Sequence, residues 1–201
     1  PCYKINHQYR FNISEINEWI LSNKIELSSN LVNLDVFQNS NNLSRLLEKG
    51  GIVTNIKGDT VNDVLAYSVE MINTPSTISK QELLSMVLSR EELMPTAIGK
   101  GIAIPHPRNP IITDINDASV SICTLENPVN FGALDGEPVH TLFIILASNP
   151  RMHLDVLSKI SYLCQDEAFS VMLKKRQSKD NILDYVRIKE KEWIIKDFKN
   201  K

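Results

Sequence analysis

Gly99-Lys100-Gly101-Ile102-Ala103-Ile104-Pro105-His106-Pro107-Arg108 sets one histidine directly behind a proline, at the end of a glycine-spaced apolar run. Imidazole can accept, hold and pass on a phosphoryl group or a proton near neutral pH. The two glycines permit a turn and a close backbone approach. Pro105 fixes its own φ and steers Ile104 to an extended conformation, so the backbone aims the His106 ring. Read from these residues alone, two alternatives stand: a reactive ring, or an ordinary loop residue after a buried strand.

Working outward, Ala118 to Leu125 and Thr141 to Ala147 are strand-length apolar runs, joined by a turn-rich hairpin holding Asp135-Gly136. Toward the N-terminus, Leu43, Leu46 and Leu47 predict a short helix closed by Gly50-Gly51, and Ile52 to Ile56 a strand. Thr60 predicts the cap of a helix carrying Val64, Leu65, Val69 and Ile72, and Ser79 opens another through Leu83, Leu84, Val87 and Leu88. Beyond Pro150, the spacing of Leu154, Leu157, Ile160, Ser161 and Cys164 predicts an amphipathic helix with these residues on its apolar face. Two more helices are expected near 167–175 and 178–193. Interleaved helices and strands, with two strands joined by a short connection, give an α/β fold: an α/β/α sandwich with a mixed β-sheet.

The 201 residues carry a net charge of −2, with 42% hydrophobic and 23% charged side chains, a globular composition that argues against nucleic-acid binding by the whole chain. Cys2, Cys123 and Cys164 are far apart and odd in number, so neither a disulfide framework nor a zinc pattern is suggested, and a reducing cytoplasmic compartment is expected. No apolar run approaches membrane-spanning length, and no membrane insertion is expected. The basic stretch from Lys174 onward reads as a solvated helix face.

Several residues converge on His106. Arg90 can neutralise phosphate oxygens through its planar fork. The Thr96 hydroxyl and the N–H groups at Gly99 and Gly101 can add hydrogen bonds. His153 opens the helix after Pro150-Arg151-Met152 and can donate to a phosphoryl group on a neighbouring ring. Each has a plainer reading: Arg90-Glu91 a solvated helix end, Thr96 a cap, His153 a helix-start residue. His140 reads as the start of a strand. A zinc site from His106, His140 and His153 has no ligand spacing behind it. No GxxxxGK[ST] loop, GxSxG elbow or HExxH helix is present, so phosphate must arrive on a donor.

The run Arg90-Glu91 … Pro95-Thr96-Ala97-Ile98-Gly99-Lys100-Gly101-Ile102-Ala103-Ile104-Pro105-His106 resembles the signature of the fructose/mannitol/nitrogen-type enzyme IIA domains of the bacterial phosphotransferase system. Phe131-Gly132-Ala133-Leu134-Asp135-Gly136-Glu137-Pro138-Val139 is similar to that family's hairpin. His153-Leu154 … Leu157 … Ile160 … Leu163 … Asp166 is similar to its second-histidine helix. The resemblance spans about residues 43–190. It implies that His106 is phosphorylated by a phospho-HPr-type carrier, with Arg90 and His153 beside it and Thr96 nearby, and without cofactor or metal. It also implies a IIB or regulatory protein as the onward target. Pro107-Arg108 departs from the family, which usually has a small residue after the histidine, and so bears on donor docking.

Residues 1–27 predict a β-hairpin with a turn at Asn6-His7, followed by a helix with Ile16, Trp19 and Ile20. Pro1-Cys2-Tyr3-Lys4-Ile5 … Tyr9-Arg10-Phe11 … Glu15-Ile16 … Glu18-Trp19-Ile20 resembles the wing and last helix of excisionase/MerR-like DNA-binding modules. The recognition helix that would precede them is absent. DNA binding is therefore expected only of a longer chain, and the start at Pro1 is expected to reflect truncation. Residues 28–42 read as a Ser/Asn-rich linker and 43–201 as the enzyme IIA-type domain. A regulatory protein is the leading expectation. The alternatives are a sugar-transport IIA component feeding a separate IIB and an unphosphorylated sensor module of a DNA-binding regulator.

Overall fold

The computed structural model describes the backbone of residues 3–5, 8–10 and 42–199 and the side chains of residues 42–193. Contacts divide the chain into two units, Pro1–Gln38 and Asn39–Lys201. In the first, β1 (Tyr3–Ile5) and β2 (Gln8–Arg10) pair antiparallel. That agrees with the expected hairpin. The Asn6-His7 turn, the helix at Ile16–Ile20 and residues 28–41 of the expected linker lie outside the described residues.

The second unit runs α1 (Leu43–Gly50), β3 (Ile52–Ile56), α2 (Val61–Met71), α3 (Lys80–Leu93), β4 (Ala97–Gly99), β5 (Ile102–Ala103), β6 (Ser119–Val129), β7 (Val139–Leu146), α4 (Pro150–Gln165), α5 (Glu167–Lys174) and α6 (Lys179–Lys199). The five strands lie in the order β3-β6-β7-β5-β4. β3 runs parallel to β6, β6 antiparallel to β7, β7 parallel to β5, and β5 antiparallel to β4. The sheet is mixed, as expected.

Local chemistry starts these helices. Thr60 and Asp63 form a reciprocal capping box on α2, and Ser79 accepts the Glu82 N–H on α3 (3.1 Å). On α4, Asn149 accepts the Met152 N–H (2.9 Å), and Pro150 follows at the first helical position, where a missing N–H costs nothing. Residues 119–125 of β6 and 141–146 of β7 are buried without alternation, because helices cover both faces. α1 and α2 pack on β6 and α5 on β7. Phe143 and Phe169, both fully buried, meet with ring centroids 6.5 Å apart.

Two expectations need correction. The buried face of α4 is Met152, Val156, Ile160, Leu163 and Cys164, while Leu154 is 67% exposed. The basic stretch is not simply solvated. Lys189 pairs with Asp166 (3.0 Å), and Arg187 pairs with Glu48 and Asp184. Arg176 donates to Asn55 Oδ1 (3.0 Å) and to the carbonyls of Leu125 (2.8 Å) and Glu126 (2.9 Å), beside the point where the β3–β6 register shifts.

Candidate phosphoryl-transfer site

The site sits beyond the C-terminal ends of two parallel neighbours, β5 and β7. His106 follows β5 by three residues, and His153 lies in the first turns of α4, the helix that follows β7. Chains leaving parallel strands exit on the same edge of a sheet, which is where open α/β folds build sites. The backbone leading to His106 is held from both sides. Ile104 N–H donates to Thr96 O (3.1 Å), and Pro105 O accepts from Ile145 N–H (3.2 Å).

His106 Nδ1 lies 2.7 Å from the Ile104 carbonyl oxygen. A carbonyl only accepts, so Nδ1 carries the hydrogen and the neutral ring keeps its lone pair on Nε2. The His153 ring stands 4.6 Å away, centroid to centroid, at 47°. Burial holds the His106 pKa below its ordinary value. The Ile104 hydrogen bond opposes that shift, and the Arg90 charge adds to it. His153 is lowered by burial, then by His106 and Arg90. Two half-buried rings in contact beside a guanidinium are therefore neutral at pH 7.

Arg90 ends α3 and donates from Nη1 to Met94 O (2.8 Å). Its charge acts on both histidines, so His106, His153 and Arg90 come together. Thr96 is buried and not a helix cap. Its N–H and Oγ1 both donate to the Glu91 carboxylate (2.8 and 2.6 Å), so its hydroxyl proton is already engaged. Gly99 and Gly101 form the β4–β5 turn at φ +92° and +71°. A Cβ on Gly99 would stand 2.7 Å from Asp135 Oδ2, and one on Gly101 would collide with the His140 ring. Asp135 Oδ2 accepts the Lys100 N–H (2.7 Å), closing this turn against the hairpin ahead of β7. These two glycines thus have a turn and a close packing contact to explain them.

His140 stands at the start of β7, with Nδ1 2.8 Å from Thr141 Oγ1 and a buried Nε2 that has no hydrogen-bond partner among the described residues. Among the described residues, no group of three or more His, Cys, Asp or Glu is placed to hold a metal ion. No helix among them is long and apolar enough to cross a membrane.

Sequence reasoning missed Glu91 as the partner of Thr96; its position beside Arg90 and five residues before that threonine was the available signal. It also missed the exposed apolar side chains Leu93, Met94 and Leu154, near Arg90 and His153 in the chain, which are 64%, 65% and 67% exposed. Beside His153 lies a cleft of about 80 Å³. Pro107, Pro110 and Pro150 line it along with Ile145 and Ala147, and Arg108 stands at its rim.

The profile of the family "Phosphoenolpyruvate-dependent sugar phosphotransferase system, EIIA 2" matches residues 45–189. A fructose-specific EIIABC component of Bacillus subtilis is 30% identical over 152 residues, 74% of this chain; the chain spans only about a quarter, 24%, of that relative's length. A nitrogen regulatory protein of Bradyrhizobium diazoefficiens is 30% identical over 128 residues, 63% of this chain and 78% of the relative. The crystal structure of the nitrogen regulatory protein IIA-Ntr from Neisseria meningitidis superposes with a TM-score of 0.62 at 25% identity, covering 71% of this chain and 97% of that one.

Proposed function

We propose that this chain, which belongs to the phosphoenolpyruvate-dependent sugar phosphotransferase system EIIA 2 family, accepts a phosphoryl group on Nε2 of His106 from an HPr-type phosphohistidine carrier. The observation that carries this reading is the 2.7 Å contact from Nδ1 to the Ile104 carbonyl, which leaves the Nε2 lone pair free beside a second histidine.

Transfer between two imidazoles needs positioning and charge compensation more than covalent help. The Nε2 lone pair attacks phosphorus in line. The donor's P–N bond breaks as the new one forms, and the donor imidazole leaves with its electron pair. Positive charge then develops on the His106 ring, and the Nδ1–H bond to Ile104 O strengthens. In this reading Arg90 offsets the charge on the equatorial oxygens, and His153 donates a hydrogen bond to the arriving phosphoryl group. Thr96 acts one step back, by holding Ile104 through its carbonyl.

A regulatory role of the nitrogen type is the leading reading. Its support is likeness: a nitrogen regulatory protein is 30% identical over 128 residues, and the IIA-Ntr structure superposes with a TM-score of 0.62. The same 30% identity to the EIIABC component favours, as second reading, a transport role in which phosphate passes on to a B-type partner. Either role places the domain in the cytoplasm, with the IIA-type domain at 43–201. Incubation with enzyme I, an HPr-type carrier and phosphoenolpyruvate should yield acid-labile phosphate on His106. His106→Ala should abolish that label. Full labelling of His106→Ala would overturn the assignment.

A further inference from the structure

Resting on the phosphoryl-acceptor reading, we infer that Glu91 is a positioning residue for His106: it draws the Thr96 N–H out of the β4–β5 pairing and so leaves the Ile104 carbonyl oxygen to hold Nδ1 of the ring. β4 and β5 pair antiparallel with Ala97 opposite Ala103, so Thr96 and Ile104 stand opposite each other one step further along. Opposed antiparallel residues alternate between pairs that exchange two backbone hydrogen bonds and pairs that exchange none. Thr96 and Ile104 make half of such an exchange. Ile104 N–H donates to Thr96 O (3.1 Å), and the reciprocal bond from Thr96 N–H to Ile104 O is missing among the described residues. Both of its ends are engaged elsewhere. Thr96 N–H donates to Glu91 Oε1 (2.8 Å), and Ile104 O accepts from His106 Nδ1 (2.7 Å).

The end of α3 makes this diversion possible. Met94 leaves the helix with extended backbone, and Pro95 disfavours any further helical turn, so the chain folds back toward Glu91. The second Glu91 oxygen accepts the Thr96 hydroxyl (2.6 Å), so one carboxylate satisfies both donors of a buried residue. Arg90, about 100° round the helix from Glu91, donates to Met94 O and makes no ion pair with that carboxylate among the described residues. The acid beside the guanidinium is thus spent on the backbone, and the Arg90 charge stays available to phosphate oxygens. Without Glu91, the Thr96 N–H is released to complete its pair with Ile104, and it then competes with His106 Nδ1 for the same oxygen. A ring that loses that hold can carry its hydrogen on Nε2, which moves the attacking lone pair to Nδ1.

The test reads the tautomer and the product in the full chain. Nitrogen NMR gives the ring nitrogen of His106 that carries the hydrogen. Phosphoramidate, a small donor with no protein surface, gives the nitrogen that attacks: its P–N bond breaks as the new one forms, and ammonia leaves. Wild-type protein should hold the hydrogen on Nδ1 and yield phosphohistidine at Nε2. Glu91→Ala should populate the Nε2–H tautomer, add product at Nδ1 and slow transfer to Nε2 about tenfold, the size of one lost hydrogen bond. Glu91→Gln, whose carbonyl can still accept the Thr96 N–H, should restore both the tautomer and the product. A Glu91→Ala protein with the wild-type tautomer and product at Nε2 alone overturns the inference, whatever its rate, and so does a Glu91→Gln protein that behaves like Glu91→Ala. Should Glu91→Ala not fold, Thr96→Val, which removes only the hydroxyl bond, should shift the tautomer in the same direction, and no shift there overturns the inference. If wild-type His106 takes no phosphate from phosphoramidate or from a carrier, the acceptor reading fails and takes this positioning role with it. An unmoved tautomer in Glu91→Ala strikes the role of Glu91 alone.

Discussion

His153→Ala is the perturbation whose size follows most directly from the site. The two rings stand 4.6 Å apart, so a phosphoryl group on Nε2 of His106 lies within hydrogen-bond reach of the second imidazole. A hydrogen bond to a charged group contributes about 1.5–3 kcal/mol net. At about 1.4 kcal/mol per factor of ten, its loss from the transition state slows acceptance about 10- to 150-fold. The pH profile carries a second signature. Burial is the largest cause of the lowered His106 pKa, and the His153 ring supplies part of that cover. Only the neutral ring attacks, so the rate falls as pH drops through the His106 pKa. Removing His153 lets water in and raises that pKa toward the ordinary imidazole value near 6.5. The acid limb of the profile should therefore move to higher pH, and His153→Gln, which keeps a donor, should recover part of the rate. The assay is single-turnover labelling by phosphoramidate from pH 5 to 8, with phosphohistidine quantified by phosphorus NMR. An unchanged rate together with an unmoved acid limb would refute the reasoning. So would a loss as complete as that of His106→Ala.

Two further expectations concern the scaffold. Gly101→Ala combines an L residue at φ +71° with a collision against the His140 ring. It should cost about 2–5 kcal/mol and lower Tm by about 5–15 °C; a thermal melt within 2 °C of wild type would show that the turn yields freely. Cys123 and Cys164 are buried, and burial pushes both thiols up to about 12. Native protein at pH 8 should leave both unmodified by iodoacetamide in peptide mass mapping while urea-unfolded protein reacts, because an ordinary thiol near 8.5 is about a quarter thiolate at that pH. Native modification at the unfolded rate would contradict that burial.

The sequence told most where one residue had one job. Thr60 and Ser79 start helices through local bonds, and each is visible as a letter in the right place. β6 and β7 announced themselves as unbroken apolar runs. β4 and β5, at three and two residues, are too short for any periodicity to show. β5 became a strand through pairing with β7, about 40 residues away in the chain, and β4 through pairing with β5. Leu154 was misplaced for a different reason. Helical spacing identifies apolar residues but not what they face, and here the count took in a side chain that points to solvent. At the candidate site, His106, His153 and Arg90 were read as neighbours through the family resemblance, and the structure brings them together. The grip of Glu91 on Thr96 was hidden, since a carboxylate and a hydroxyl five residues apart meet only once α3 ends and the chain reverses.

The parallel pairing of β5 with β7 sets Ile102 against Thr141 and Ala103 against Leu142. It therefore works as a ruler between the two histidines. Sliding one strand past the other by two residues would displace the rings by about 6.6 Å, more than their whole separation; sliding by one would exchange the side chains of the two buried faces. The gap between the two rings, across which the proposed transfer would run, is set inside the sheet, while the loop carrying Arg108 lies outside it. Changes at that loop therefore leave the gauge between the two histidines in place.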